Sequence, residues 1–137
     1  MTEAVLDASV VLKWFGDRGE DLEAQALAMR ATYVEGNLVV LSPGLLALEV
    51  LNAAARRWRW PTPQVVELAA HLDQIGFEWR EPDLERVAGW TGKGLTAYDA
   101  AYVALAEQCG VDLWTDDAGI LDVASPVARP LASWTVP

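Results

Sequence analysis

Short apolar runs alternate with longer helical stretches along this chain, and that alternation leaves few folds open. Ala4-Val5-Leu6, Leu38-Val39-Val40-Leu41 and Val111 to Thr115 are too brief for stable helices and end in turn-forming or acidic residues. A run with no polar face suits a strand covered on both sides, as in a parallel sheet. Strands separated by helices indicate an α/β layer with a mainly parallel sheet.

The intervening stretches carry helix signals. Ser9 is placed to cap a helix over 10–15, and the charged residues 17–21 read as a loop. Leu22, Ala26, Met29 and Tyr33 form one stripe of a helix over 22–34, which Gly36-Asn37 stops. A long helix is expected over 45–59, and another from Thr62, its cap, through Pro63 to Gly76. Residues 77–79 read as a short strand and 83–90 as a short helix. Thr96 begins a strongly apolar helix over 97–109, ended by Gly110. A short helix over 118–123 and a last strand near Leu131 complete the pattern. No repeat, linker or low-complexity tract divides the 137 residues, so 1–137 is expected to form one domain.

Composition narrows the class of protein. Hydrophobic residues make up 53% and charged ones 22%, a globular balance that excludes a disordered chain. Ten basic and twenty acidic residues give a net charge of −10, which argues against a general DNA-coating or membrane-surface protein. One cysteine, Cys109, excludes an internal disulfide, and one histidine, His71, excludes a histidine-rich metal site. No basic segment leads into an apolar run near Met1, and no apolar stretch reaches spanning length. A soluble cytoplasmic protein without a membrane partner is the expectation.

The informative acids stand where acids are costly. Asp7 ends the first strand, and Asp116-Asp117 ends the strand 111–115. Glu49 and Asp99 interrupt apolar helices. Each has a plain structural account: Asp7 in a strand-to-helix turn, Glu49 at a solvent-facing helix edge, Asp99 in a capping-box spacing from Thr96, and Asp116 or Asp117 as a helix cap. Jointly they suggest more. Ligands of open α/β sheets bind beyond the carboxyl ends of the strands, where Asp7 and Asp116-Asp117 fall. Carboxylates crowded there call for a hard divalent cation, Mg²⁺ or Mn²⁺, and such a site suits phosphodiester hydrolysis.

These stretches resemble a known family. Val5-Leu6-Asp7-Ala8-Ser9-Val10-Val11-Leu12-Lys13-Trp14-Phe15 resembles the opening of a PIN domain of the VapC type. Leu46-Ala47-Leu48-Glu49-Val50-Leu51-Asn52 resembles the second acidic motif. The stretch from Leu95 through Asp99 to Ala106 is similar to the third, and Leu113 to Leu121 to the fourth, usually Thr-x-Asp. The resemblance implies a PIN-like three-layer α/β/α sandwich. It further implies a Mg²⁺- or Mn²⁺-dependent endoribonuclease, the toxin of a type II toxin–antitoxin pair. Such a toxin is usually a homodimer, silenced by a VapB-like antitoxin that covers the active groove. Carried over, Asp7 and Asp99 are the principal metal ligands, and Glu49 and Asp117 complete the catalytic, metal-binding set. Asp117 fits the Thr-x-Asp register and Asp116 the variable position. Ser9 and Thr115 are polar neighbours.

Other arrangements carry less. Arg56, Arg57 and Arg59 cluster with Trp58 and Trp60, a pattern that suits RNA, an acidic antitoxin segment or a solvated helix end. These two tryptophans are expected to be the most exposed of the seven. His71 lies on a helix without a nucleophile motif, Cys109 reads as a small buried hydrophobe, and no glycine-rich phosphate loop occurs. Two alternatives stand beside the ribonuclease: a non-catalytic PIN-like binding module, and a metal-dependent nuclease or phosphatase with a non-RNA substrate.

Overall fold

The computed structural model describes residues 1–16 and 23–137; the loop expected at 17–21 and the helix start expected at Leu22 lie outside the described residues. Five strands form one sheet: β1 (Thr2–Leu6), β2 (Leu38–Ser42), β3 (Glu78–Trp79), β4 (Asp112–Thr115) and β5 (Ala128–Pro130). All four pairings are parallel, in the order β3-β2-β1-β4-β5. Val5, Leu6 and Leu113 in the two central strands have no exposure, and each such side chain contributes roughly 1.5–3 kcal/mol by leaving water. The expected α/β sandwich is present, with a sheet that is wholly parallel.

Seven α-helices connect the strands among the described residues. They are α1 (Ala8–Phe15), α2 (Glu23–Val34), α3 (Leu45–Asn52), α4 (Thr62–Gln74), α5 (Leu84–Thr91), α6 (Ala97–Cys109) and α7 (Ala118–Val123). α1 to α4 serve the crossovers running outward from β1 to β3 and pack on one another. α6 lies on β1, β2 and β4 with α5 against it. The right-handed rule for parallel crossovers assigns these two groups to opposite faces, because the chain reverses direction across the sheet after β3. Ala100 to Ala106 of α6 are therefore buried nearly all round. Gly110 ends that helix with φ 67°, a conformation glycine adopts without penalty.

Three local expectations change. Thr62 is the first residue of α4 and not its cap; Pro61 takes the cap position, and no side chain caps the helix. The cap of α1 is Asp7, whose extended backbone lets its side chain accept from the Val10 amide; Ser9 lies inside the helix and points back at Asp7. The long helix expected over 45–59 is α3 followed by a wider π turn, Ala53–Arg57. The Trp58 amide donates to the Ala53 carbonyl, the Trp60 amide donates to the Ala54 carbonyl, and Arg59 takes a left-handed φ of 56°. A left-handed residue ahead of Pro61 closes the helix before it can continue. The last strand falls at Ala128–Pro130, just before Leu131, which begins a 3-10 turn over Leu131–Ser133.

Candidate active site

The site is built from the carboxyl ends of β1 and β4. The two strands are hydrogen-bonded neighbours, with Leu6 opposite Trp114. They are also the place where strand order reverses, the crevice at which open α/β sheets bind ligands. The next residues, Asp7 and Thr115, are both buried. Thr115 Oγ1 donates to Asp7 Oδ2 at 2.5 Å. On the other oxygen, Asp7 Oδ1 accepts from Ser9 Oγ at 2.6 Å and from the Val10 amide at 3.3 Å.

Each hydroxyl also holds the turn after β4. Ser9 Oγ accepts from the Asp116 amide at 2.9 Å, and Thr115 Oγ1 accepts from the Asp117 amide at 3.0 Å. A hydroxyl has one proton, so both protons are directed at an ionised Asp7. Even so, burial raises the Asp7 carboxyl from 3.8 to about 6; the nearby Asp117 adds to the rise, and the three hydrogen bonds oppose it. Thr115→Val keeps the shape and removes the donor. The variant should lose about 1–3 kcal/mol at neutral pH, read by urea denaturation, because Asp7 Oδ2 and the Asp117 amide both lose a partner. Stability equal to the parent would show that the hydroxyl does not hold the turn.

The adjacent aspartates divide into two roles. Asp116 Oδ2 lies 3.5 Å from Lys13 Nζ, and that lysine side chain is only 4% exposed. Asp117 caps α7 by accepting from the Ile120 amide through Oδ1 at 2.9 Å. Its Oδ2 has no hydrogen bond among the described residues. Asp99 occupies the first turn of α6, where its amide donates to Thr96 Oγ1 at 3.1 Å. Burial and then Asp117 raise its carboxyl above the usual range, with the Thr96 hydroxyl opposing. Glu49 comes from α3 and is half-buried; burial and then Asp99 raise it, against a hydrogen bond from Tyr102.

The four expected acids thus share one neighbourhood. Asp117 is felt by Asp7 and by Asp99, and Asp99 by Glu49. None of the four is in an ion pair among the described residues. Nor are any three His, Cys, Asp or Glu side chains among the described residues grouped to hold an ion directly. The donor set still fits a hard cation: it offers only carboxylate oxygens, mutually repelling and short of positive partners. Mg²⁺ asks for only one or two direct carboxylates and retains several waters. Asp7 and Asp99 would be the principal ligands, completed by Asp117 and Glu49.

The sequence gives no role to Tyr102 and does not pair Lys13 with Asp116. Tyr102 lies one turn after Asp99, and its spacing was the available signal. His71 packs edge-on against Phe15, ring centroids 5.4 Å apart, beside a cavity of about 660 Å³ that none of the four acids lines. Arg56, Arg57 and Arg59 are exposed, but Trp58 and Trp60 are half-buried and packed on each other at 5.4 Å. Trp58 also closes over Gly16, where a Cβ would meet its ring at 2.7 Å. Trp79, at 39%, and not Trp58 or Trp60, is the most exposed of the seven tryptophans.

A wholly parallel α/β sheet with carboxylates gathered at its switch point defines an acidic-site α/β protein. Residues 4–126 match the family model for the PIN domain, and the chain belongs to that family. PIN domains are generally nucleases and generally use divalent metal ions. The fold is similar to that of PAE2754 from Pyrobaculum aerophilum, with 24% identity and a TM-score of 0.65, covering 96% of this chain and 92% of that one. It is also similar to FitAcB from Neisseria gonorrhoeae, with 16% identity and a TM-score of 0.68 over 96% of this chain and 99% of that one. FitAB bound to an IR36 DNA fragment gives 15% identity and a TM-score of 0.67 over 97% of this chain and 98% of that one. Comparison with curated proteins finds no match. Among the described residues no helix is long and apolar enough to cross a membrane.

Proposed function

We propose that this chain is a Mg²⁺- or Mn²⁺-dependent endoribonuclease. Asp7, Glu49, Asp99 and Asp117 are its catalytic and metal-binding residues, and 1–137 is one domain. The observation that carries the reading is Asp7: a buried carboxylate at the sheet's switch point, fixed on both oxygens and within reach of the Asp117 charge. Such an anion is costly to maintain unless a cation offsets it. A bound divalent ion supplies Lewis acidity, which lowers the pKa of a water and offsets charge on a phosphate. Ser9 and Thr115 hold Asp7 in one orientation. One Asp117 oxygen caps α7 and the other takes no hydrogen bond among the described residues, and Asp99 stands in the first turn of α6, capped by Thr96.

The biological role proposed is that of a VapC-type toxin, cytoplasmic and homodimeric, neutralised by a VapB-like antitoxin. The PIN family and the fold likeness to FitAcB and FitAB support it. Arg56, Arg57 and Arg59 supply positive charge to a chain of net charge −10, as contact with RNA or an acidic antitoxin segment requires.

The test is cleavage by purified protein of RNA, DNA and a phosphomonoester, with Mn²⁺ or with EDTA. RNA cleavage that EDTA abolishes is expected; hydrolysis of DNA or phosphomonoester alone would transfer the site to another substrate. The same assay separates the paired aspartates. Asp117→Asn should reduce cleavage by about a hundredfold or more, whereas Asp116→Asn should stay within about tenfold, because its carboxylate is engaged with Lys13. The reverse order would make Asp116 the ligand.

A further inference from the structure

We infer that Tyr102 is a positioning residue that aims Glu49 at the acidic site. The inference rests on that site being the catalytic centre. Tyr102 follows Asp99 by three residues on α6, so the two side chains leave the same side of the helix. The ring is 1% exposed, and its hydroxyl donates to Glu49 Oε1 at 2.8 Å. The bond joins α6, which packs on β1, β2 and β4, to α3, which packs on α1 and α4.

Three features separate this contact from ordinary packing. Phenylalanine would fill the same core volume, so packing does not explain a buried hydroxyl, which is costly without a partner. Glu49 is half-buried and stands near Asp99, whose charge repels it. Its flexible side chain would otherwise turn toward solvent, where it is hydrated and farther from Asp99. Finally, the phenol engages one oxygen, leaving Oε2 without a hydrogen bond among the described residues. Tyr102 thus keeps Glu49 facing the acids that repel it.

Mn²⁺ titration calorimetry on the full chain tests this with Tyr102→Phe, Glu49→Gln and the double variant, alongside RNA cleavage. Tyr102→Phe should weaken Mn²⁺ binding about 10–100-fold, the usual effect of losing a residue that orients a ligand. It should lower kcat and leave KM for RNA within about twofold. In the Glu49→Gln background the same substitution should change Mn²⁺ affinity less than about twofold, because its effect passes through the carboxylate. Circular dichroism checks the fold, and Tyr102→Met repeats the measurement should the phenylalanine variant misfold. Unchanged Mn²⁺ affinity in Tyr102→Phe overturns the inference and leaves the proposed function standing. An equal loss in both backgrounds also overturns it, since Tyr102 would then act independently of Glu49. A parent protein that binds no Mn²⁺ and cleaves no RNA rejects the proposed function itself, and this inference with it.

Discussion

Asp7→Asn should yield a more stable protein at neutral pH that no longer cleaves RNA. In the folded chain the Asp7 carboxyl titrates at about 6, against 3.8 ordinarily. Between those values the native state retains a proton that the unfolded chain has released. Stability from this group is therefore complete below about pH 4 and declines as pH rises through 6. The gap corresponds to about 3 kcal/mol. The amide cannot ionise, so Asn removes that loss. It can keep the bonds from Ser9 and Val10, although Thr115 must turn its hydroxyl, a cost of about 1 kcal/mol. The net gain at pH 7 should be about 1–3 kcal/mol, falling as pH drops until, below about pH 4, only the cost of about 1 kcal/mol remains. Urea denaturation of both proteins across pH 4–7 reads it directly. Cleavage should fall by well over about a hundredfold, because a principal ligand and its charge are gone. A variant with the parent's pH slope would show that Asp7 ionises freely in the fold; one with the parent's activity would remove Asp7 from the chemistry.

Acidification should release the metal before it unfolds the protein. A divalent ion competes with the proton on Asp7, so affinity should be nearly level above pH 7 and fall as pH drops through about 6. Asp7 alone implies a loss of about tenfold between pH 7 and pH 5. Asp99 and Glu49 are displaced in the same direction, by burial first and by a neighbouring acid second, and should steepen the fall. Mn²⁺ calorimetry at several pH values, with circular dichroism confirming the fold at each, makes the measurement. Proton release should accompany binding near pH 6 and disappear near pH 8. Affinity that does not change between pH 7 and pH 5 would mean that these carboxylates are not the ligands.

Much of this arrangement is legible along the chain because its causes are local. Thr96 and Gly110 bracket α6 as a cap and a left-handed stop, and both signals lie within a turn of the residues they govern. Asp7 and the Asp116-Asp117 pair end strands whose apolar runs are visible directly. The parallel sheet then follows from alternation, and its carboxyl edge from chain direction. Where expectations moved, a nearby competitor won. Asp7 displaced Ser9 as the cap of α1 because its side chain reaches the Val10 amide from an extended backbone. The π turn at Ala53–Arg57 replaced regular helix where Arg59 turns left-handed and Trp58 meets Gly16.

The pairings between distant residues belong to another level. Nothing near Lys13 says that it meets Asp116, 103 positions on, while the charge of Asp117 acts on Asp7 and Asp99. Nothing near Glu49 announces the phenol of Tyr102. The sequence alone determined which residues are apolar, where helices begin and end, and which acids stand in costly places, because these depend on neighbours within a few positions. Only the tertiary structure decided which of those acids share a field, which is neutralised and which is held by a hydroxyl. Those outcomes depend on distances of a few ångströms, established once β1 lies against β4 and α3 approaches α6.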